Sequence, residues 1–169
     1  MKNQKIFTAR LCLQVIDQQD FDALITLLKN EKIAQTYMVP SLSSREDERK
    51  LFDAIKRTSQ SSNRFAYGIF WEDVFVGLIN DVGISGSEIE LGFVIHPDYQ
   101  GKGFATEALT ALTAQLFSLG FSTVKTAAFE HNAASIRVME KCGMTLLDDV
   151  TEEEYRGKTH RCVWFEKRC

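Results

Sequence analysis

The segment Gln100-Gly101-Lys102-Gly103-Phe104-Ala105 combines the residue types that hold anions. Glycines let a backbone turn tightly and approach a ligand closely. The amphipathic stretch that follows predicts a helix over about residues 103–119. Its N-terminus would offer unpaired N–H groups and a partial positive charge. Ala105 and Ala108 keep its first turns slim. A phosphate or pyrophosphate suits such a cradle, although a glycine pair by itself more often marks a tight turn without a ligand. Two known phosphate loops do not fit. The Walker pattern fails because Phe104 follows Gly103, and the dinucleotide pattern G-x-G-x-x-G fails at Thr106. Just upstream, Glu88 and Glu90 fall on a strand whose alternation puts them on one face with Gly92 and Val94. Cys142 precedes Gly143 at a helix end, where the dipole does nothing for a thiolate, and reads as a small core residue. His96 and His131 flank this region, but lone histidines are more often structural, so neither is a catalytic candidate.

These groups need a scaffold, and the hydrophobic pattern supplies one. Leu11, Leu13 and Val15 alternate as in a strand. A helix capped by Asp17 or Asp20 follows, with Phe21, Leu24, Ile25 and Leu28 on one face. Pro40 and Ser41 break the chain, and a capping box of Ser44 and Asp47 opens a second helix carrying Leu51 and Ile55. Ser59-Gln60-Ser61-Ser62-Asn63 reads as a surface loop. Strands are expected at 65–70 and 74–79, joined by a turn at Trp71-Glu72-Asp73, and a third at 88–95, ended by Pro97. The glycine-turn helix presents Ala105, Ala108, Leu109, Leu112, Leu116 and Leu119, with Gly120 beyond its end. A strand at 124–129, a helix at 133–142 closed by Gly143, and strands at 144–147 and 161–165 complete the order β-α-α-β-β-β-α-β-α-β-β. That order implies an α/β (α+β) chain with a mixed sheet and helices packed on it.

The composition fits one domain spanning residues 1–169, and its net charge of -3 argues against a basic nucleic-acid-binding face. No apolar run approaches a membrane span, and the start of the chain lacks the pattern of a secretory signal. Cys12, Cys142, Cys162 and Cys169 form neither a zinc pattern nor a disulfide framework. A reducing, cytoplasmic setting is the expectation.

Gln100, Gly103 and Ala105 fit the pattern Q/R-x-x-G-x-G/A. Here the chain resembles the GNAT superfamily of acetyl-CoA-dependent N-acetyltransferases. The stretch from Ile89 through the turn to Leu109 is similar to its RimJ/RimL-like branch, which contains ribosomal-protein N-terminal acetyltransferases. Thr8-Ala9-Arg10-Leu11-Cys12-Leu13, the segment from Asn132 through Ser135 to Met144, and Tyr155-Arg156-Gly157-Lys158 resemble further signatures of that branch, in the same order.

The resemblance implies a GNAT fold with a mostly antiparallel sheet, splayed between its two central parallel strands, and helices on both faces. It places the pantetheine of acetyl-CoA along Phe93, Val94 and Ile95, and the pyrophosphate on the turn of Gln100, Gly101, Lys102, Gly103, Phe104 and Ala105. Asn132 would meet a pantetheine amide or cap its helix, or do both. Glu90, then Glu88, is the candidate base for the incoming ammonium, with a solvent-facing carboxylate as the competing reading. Many relatives protonate the leaving thiolate with a Tyr where this chain has Met139, a departure shared with the RimJ/RimL-like branch. Ser135 is then the candidate donor. The implied acceptor is a primary amine: a protein or peptide N-terminus, or a polyamine or aminoglycoside-type amine. A non-catalytic CoA-binding module is the alternative from another class. The acidic run Asp148, Asp149, Glu152, Glu153 and Glu154 is either an attractor for a cationic acceptor or a solvated loop. Both monomers and homodimers are compatible with the sequence.

Overall fold

The computed structural model describes residues 5–169. Residues 1–4, part of the stretch read for a leader, lie outside the described residues. The elements in chain order are β1 (Ile6–Phe7), β2 (Leu11–Gln14), α1 (Phe21–Lys29), α2 (Glu31–Ala34), α3 (Arg45–Gln60), β3 (Ala66–Trp71), β4 (Val74–Ser85), β5 (Glu88–Ile95), α4 (Phe104–Ser118), β6 (Thr123–Phe129), α5 (Ala133–Lys141), β7 (Thr145–Tyr155) and β8 (Lys158–Arg168). They form an eight-stranded sheet in the order β1-β2-β3-β4-β5-β6-β8-β7.

Every neighbouring pair is antiparallel except β5 with β6. That parallel pairing covers only Glu88 with Thr123, Ile89 with Val124 and Glu90 with Lys125. Beyond Glu90 the strands part. Residues 91–95 of β5 remain paired to β4, while 126–129 of β6 remain paired to β8. The backbone edges facing each other across this gap therefore have no ladder partner, and backbone polar groups in such a place must find one elsewhere.

The alternation of β5 sorts the two layers. Ile89, Leu91 and Ile95 join a core with Ala108, Leu109, Leu112 and Leu116 of α4 and Met139 of α5. Val94 joins a second core with Leu24 and Leu28 of α1, Ile33 of α2 and Phe52 of α3. Fully buried leucines such as Leu109, Leu112 and Leu116 each contribute roughly 1.5–3 kcal/mol of transfer free energy.

The local signals act as their chemistry requires. Asp17 caps a short 3-10 turn by accepting from Gln18 N–H, its own N–H donates to the Asp20 carboxylate, and α1 starts at Phe21. Ser44 and Asp47 form the expected capping box of α3. Glu72 and Asp73 both have positive φ and close the β3–β4 hairpin.

Several expectations need correction. The two-residue β1 and one-turn α2 are additions. Leu119 is 42% exposed rather than part of the α4 core face. Ser59 is no loop residue: it lies buried in α3, where Oγ accepts from Ile16 N–H at 2.8 Å and donates to the Ala66 carbonyl at 2.6 Å. The expected short strands at 144–147 and 161–165 are an eleven-residue pair, β7 and β8. The acidic run belongs to β7 and is not a loop.

Candidate active site

The gap between β5 and β6 opens into a groove of about 480 Å³. Its walls include Phe93, Val94 and Ile95 of β5, Gln100, Gly101, Gly103, Phe104 and Ala105 of the turn, and Asn132 and Ser135 at the start of α5. Residues 93–95, the 100–105 turn and residues 132–135 thus converge because the turn and the α5 N-terminus sit at the same end of the two parting strands.

The turn has the geometry of an anion cradle. Gly101 and Gly103 hold φ of 75° and 81°, a region that side chains rarely adopt. Gly103 is the N-cap of α4 and supplies no side-chain bond, so the helix begins with N–H donors unpaired by a cap. Gln100 braces the turn, since its Nε2 donates to the Ile95 carbonyl at 2.8 Å and ties the turn to the end of β5. The Lys102 side chain is not part of the groove wall; its carbonyl instead accepts from Arg10 Nη1 at 2.9 Å.

At the opposite wall, Asn132 caps α5 by accepting from Ser135 N–H at 3.2 Å, while its Nδ2 donates to Ser135 Oγ at 3.0 Å. The amide nitrogen thus uses one of its two N–H donors on Ser135, and the cap leaves the other for a partner in the groove that Asn132 lines. Ser135 Oγ, having accepted that bond, keeps a proton to donate. Met139, one helical turn further along α5, is fully buried in the core with α4.

Glu90 and Glu88 share the face of β5 opposite to Phe93. Glu88 is held by Lys125 Nζ at 2.6 Å. Glu90 is half-buried. Burial, and then the nearby Glu153 carboxylate, push its carboxyl above the usual range, with Lys125 partly offsetting them. Neither carboxylate lines the groove itself. The two share their face with Val94, which does.

Tyr37 carries no signal in the sequence. It follows α2, lines the groove from the Glu90 side of β5, and donates to Asn80 Oδ1 at 2.8 Å. A Cβ placed on Gly92 would lie 3.7 Å from its hydroxyl oxygen. Burial pushes its phenol up to about 12, so it serves as a neutral donor and not as a base. Tyr37 also borders a second cavity of about 280 Å³ between α1, α3 and β4.

The Tyr155-Arg156 turn closes this side. Tyr155 Oη donates to the Ala34 carbonyl at 2.8 Å and accepts from Val39 N–H at 3.3 Å, and Arg156 pairs with Glu31 at 2.6 Å. Between the turn and β5, the sheet surface of β6, β8 and β7 presents half-buried Lys125, Trp164, Thr151 and His160.

The other chemical candidates are structural. Cys142 is buried, its thiol is raised by that burial, and its sulfur donates to the Thr106 carbonyl. His96 Nδ1 accepts from Asp98 N–H, and His131 stacks on Phe129. Among the described residues, no cluster of His, Cys, Asp and Glu has the makings of a metal site, and no helix is long and apolar enough to cross a membrane.

Comparison with known proteins agrees with this geometry. YoaA, an uncharacterized N-acetyltransferase of Bacillus subtilis (strain 168), is 28% identical over 142 residues, covering 80% of each chain. The RimL ribosomal L7/L12 alpha-N-protein acetyltransferase, solved with coenzyme A, superposes with a TM-score of 0.87 at 21% identity over 98% of each chain. The microcin C7 self-immunity acetyltransferase MccE, solved with acetyl-CoA and AMP, gives 0.84 at 18% identity over 95% of this chain and 93% of its own. Residues 10–145 match the family described as the acetyltransferase (GNAT) domain. The splayed sheet, the glycine turn and this match together assign the chain to the GNAT family of acetyltransferases.

Proposed function

We propose that this N-acetyltransferase transfers acetyl from acetyl-CoA directly to the α-amine of a protein or peptide. The observation that carries the donor half is the groove in the β5–β6 gap, with unpaired strand edge on one side and a glycine-built helix start at its end. Residues 93–95 would pair with the pantetheine amides as an added strand does. The N–H groups of Gly101, Gly103, Phe104 and Ala105 would hold the pyrophosphate. When bound, acetyl-CoA supplies an activated thioester.

The chain's own residues supply the proton transfers. Glu90, with its raised carboxyl, takes a proton from the incoming ammonium, directly or through a water. Ser135 donates from the α5 start to the departing sulfur. A backbone N–H near Phe93 or Val94 polarises the thioester carbonyl.

The acceptor side supports a chain end. It is a half-buried sheet surface of β6, β8 and β7 that runs from β5 to the β7–β8 turn, where Tyr155 is tied to Val39. The RimL structure, an alpha-N-protein acetyltransferase, agrees with this reading. The nearness of Glu153 to Glu90 keeps a polycation such as spermidine as the second candidate.

A thiol-release screen over N-terminal peptides, spermidine and aminoglycosides tests the acceptor. Peptide turnover is expected, and turnover of polyamine alone overturns the assignment. Glu90→Gln should lower kcat by roughly 10²–10⁴-fold and remove the acid limb of the pH profile. Unchanged turnover in both Glu90→Gln and Ser135→Ala would remove their roles.

A further inference from the structure

The turn between β1 and β2 reaches the glycine turn from a distance of more than ninety residues in sequence. Arg10 Nη1 donates to the Lys102 carbonyl at 2.9 Å. Its Nε and Nη2 hold Glu107 Oε2 at 2.8 and 2.7 Å, and its guanidinium lies 4.8 Å from the centre of the Phe104 ring. Glu107 is also bound by Thr8 Oγ1 at 2.5 Å and by the Arg10 N–H at 2.8 Å. One guanidinium thus grips the turn, the first residue of α4 and its first full turn. It does so from outside, because Arg10 does not line the groove.

The carbonyl of Lys102 and the N–H of Gly103 belong to one peptide unit. That unit is planar and trans, so the two groups point in opposite directions. Gly103 lies between Arg10 on one side and the groove on the other. Fixing the carbonyl on Arg10 therefore aims the Gly103 N–H into the groove. The flanking glycines leave the turn few other constraints, since both are exposed and both hold positive φ. Glu107 neutralises the guanidinium at the same time. Without Arg10, a carboxylate would stand uncompensated in the first turn of the helix that faces the anion.

We propose that Arg10 is a positioning residue that orients the N–H groups of the Gly101–Gly103 turn toward the pyrophosphate of the acyl donor without touching it. The proposal rests on the donor-site assignment above. Removing one charge-assisted hydrogen bond of this kind corresponds to roughly a ten- to hundredfold change in affinity.

Calorimetric titration of wild type, Arg10→Ala and Arg10→Lys with CoA tests it, together with turnover of acetyl-CoA and of S-acetylpantetheine, which lacks the pyrophosphate. In Arg10→Ala, the Kd for CoA and the KM for acetyl-CoA should rise by that factor. The kcat at saturation and the kcat/KM for S-acetylpantetheine should stay within about twofold of wild type. Arg10→Lys, which restores charge but not the fork, should recover less than half of the loss. Equal losses with both donors would mean a merely structural role and overturn the proposal, as would an unchanged Kd or full recovery by lysine. Failure of the wild type to bind CoA would instead remove the donor-site assignment itself.

Discussion

The two walls of the proposed site are built by different means. The wall proposed for the donor is backbone: a strand edge without a partner, two glycines of positive φ and the start of α4. The wall proposed for the acceptor is side chain: Tyr37 against Asn80, Tyr155 against Ala34 and Val39, Arg156 against Glu31. Backbone offers every acyl-CoA donor the same N–H groups, so the donor wall depends on shape. Side chains can be exchanged one at a time, so the acceptor wall can change its amine without disturbing the donor wall. Substitutions on one wall should therefore leave the other's binding constant alone.

The largest effect is expected at Gly103. Its φ of 81° is strained for any side chain, and an added Cβ would sit 3.4 Å from Arg10 Nη2. A branched residue there costs on the order of 1–3 kcal/mol in the backbone and shifts the turn. Gly103→Val should raise the Kd for CoA at least tenfold, read by calorimetry, while the KM for a peptide acceptor at saturating donor changes little. A parallel rise in both constants would mean that the walls are not separable.

Tyr155→Phe tests the other wall. It leaves the Ala34 carbonyl and the Val39 N–H without their hydroxyl partner, at a cost of about 1–3 kcal/mol if both stay dry. The Tm should drop by several degrees and the acceptor KM should rise, with the CoA Kd unchanged. A CoA Kd that moves as much as the acceptor KM would break the distinction.

Glu90 stands between the walls, and its effect on stability depends on pH. Its carboxyl is raised in the folded chain, so the native state binds the proton more tightly than the unfolded state does. Stability from this group is therefore greatest below its unfolded value and falls as pH rises through the raised one. Glu90→Gln should be the more stable protein at neutral pH, with the gap closing toward acid. Thermal unfolding of both proteins from pH 4 to 8 reads this directly, and a constant gap would show that Glu90 is not the group responsible.

The same division explains what the sequence made legible. The donor wall is local: Pro97, Gly101, Gly103 and the apolar stripe of α4 lie within about twenty residues, so turn chemistry and periodicity suffice to place them. The capping box of Ser44 and Asp47 is readable for the same reason. The acceptor wall depends on pairs more than a hundred residues apart, such as Tyr155 with Ala34, which no local pattern encodes. The acidic continuation of β7 beyond residue 147 was hidden because Asp and Glu are poor strand formers, and cross-strand partners decide the matter. Trp164 Nε1 donates to Thr151 Oγ1 at 2.9 Å, and Glu153 stands opposite His160. Ser59 was hidden because a serine in a polar run carries no mark of the two backbone groups that it bridges. Arg10 falls within a segment marked by its family resemblance, but its partners Lys102, Phe104 and Glu107 are visible only in three dimensions.

The smallest expected effect lies where the two walls divide. Thr126 is one residue past Lys125, the last residue of β6 paired to β5. It is 1% exposed, and its Oγ1 is the buried side-chain polar atom without a hydrogen-bond partner among the described residues. Thr126 alternates with Val124 and Ala128, so it points into the α4 core and away from the face of Glu90. A desolvated hydroxyl without a partner costs stability, and an apolar side chain of the same shape does not. Thr126→Val should therefore stabilise the protein by about 1 kcal/mol, a Tm rise of roughly 2–4 °C, with the CoA Kd and acceptor KM both unchanged. A weaker CoA affinity in Thr126→Val would show that the hydroxyl serves the donor. The donor wall would then include a side chain at its root, and the contrast between a backbone wall and a side-chain wall would have to be redrawn there.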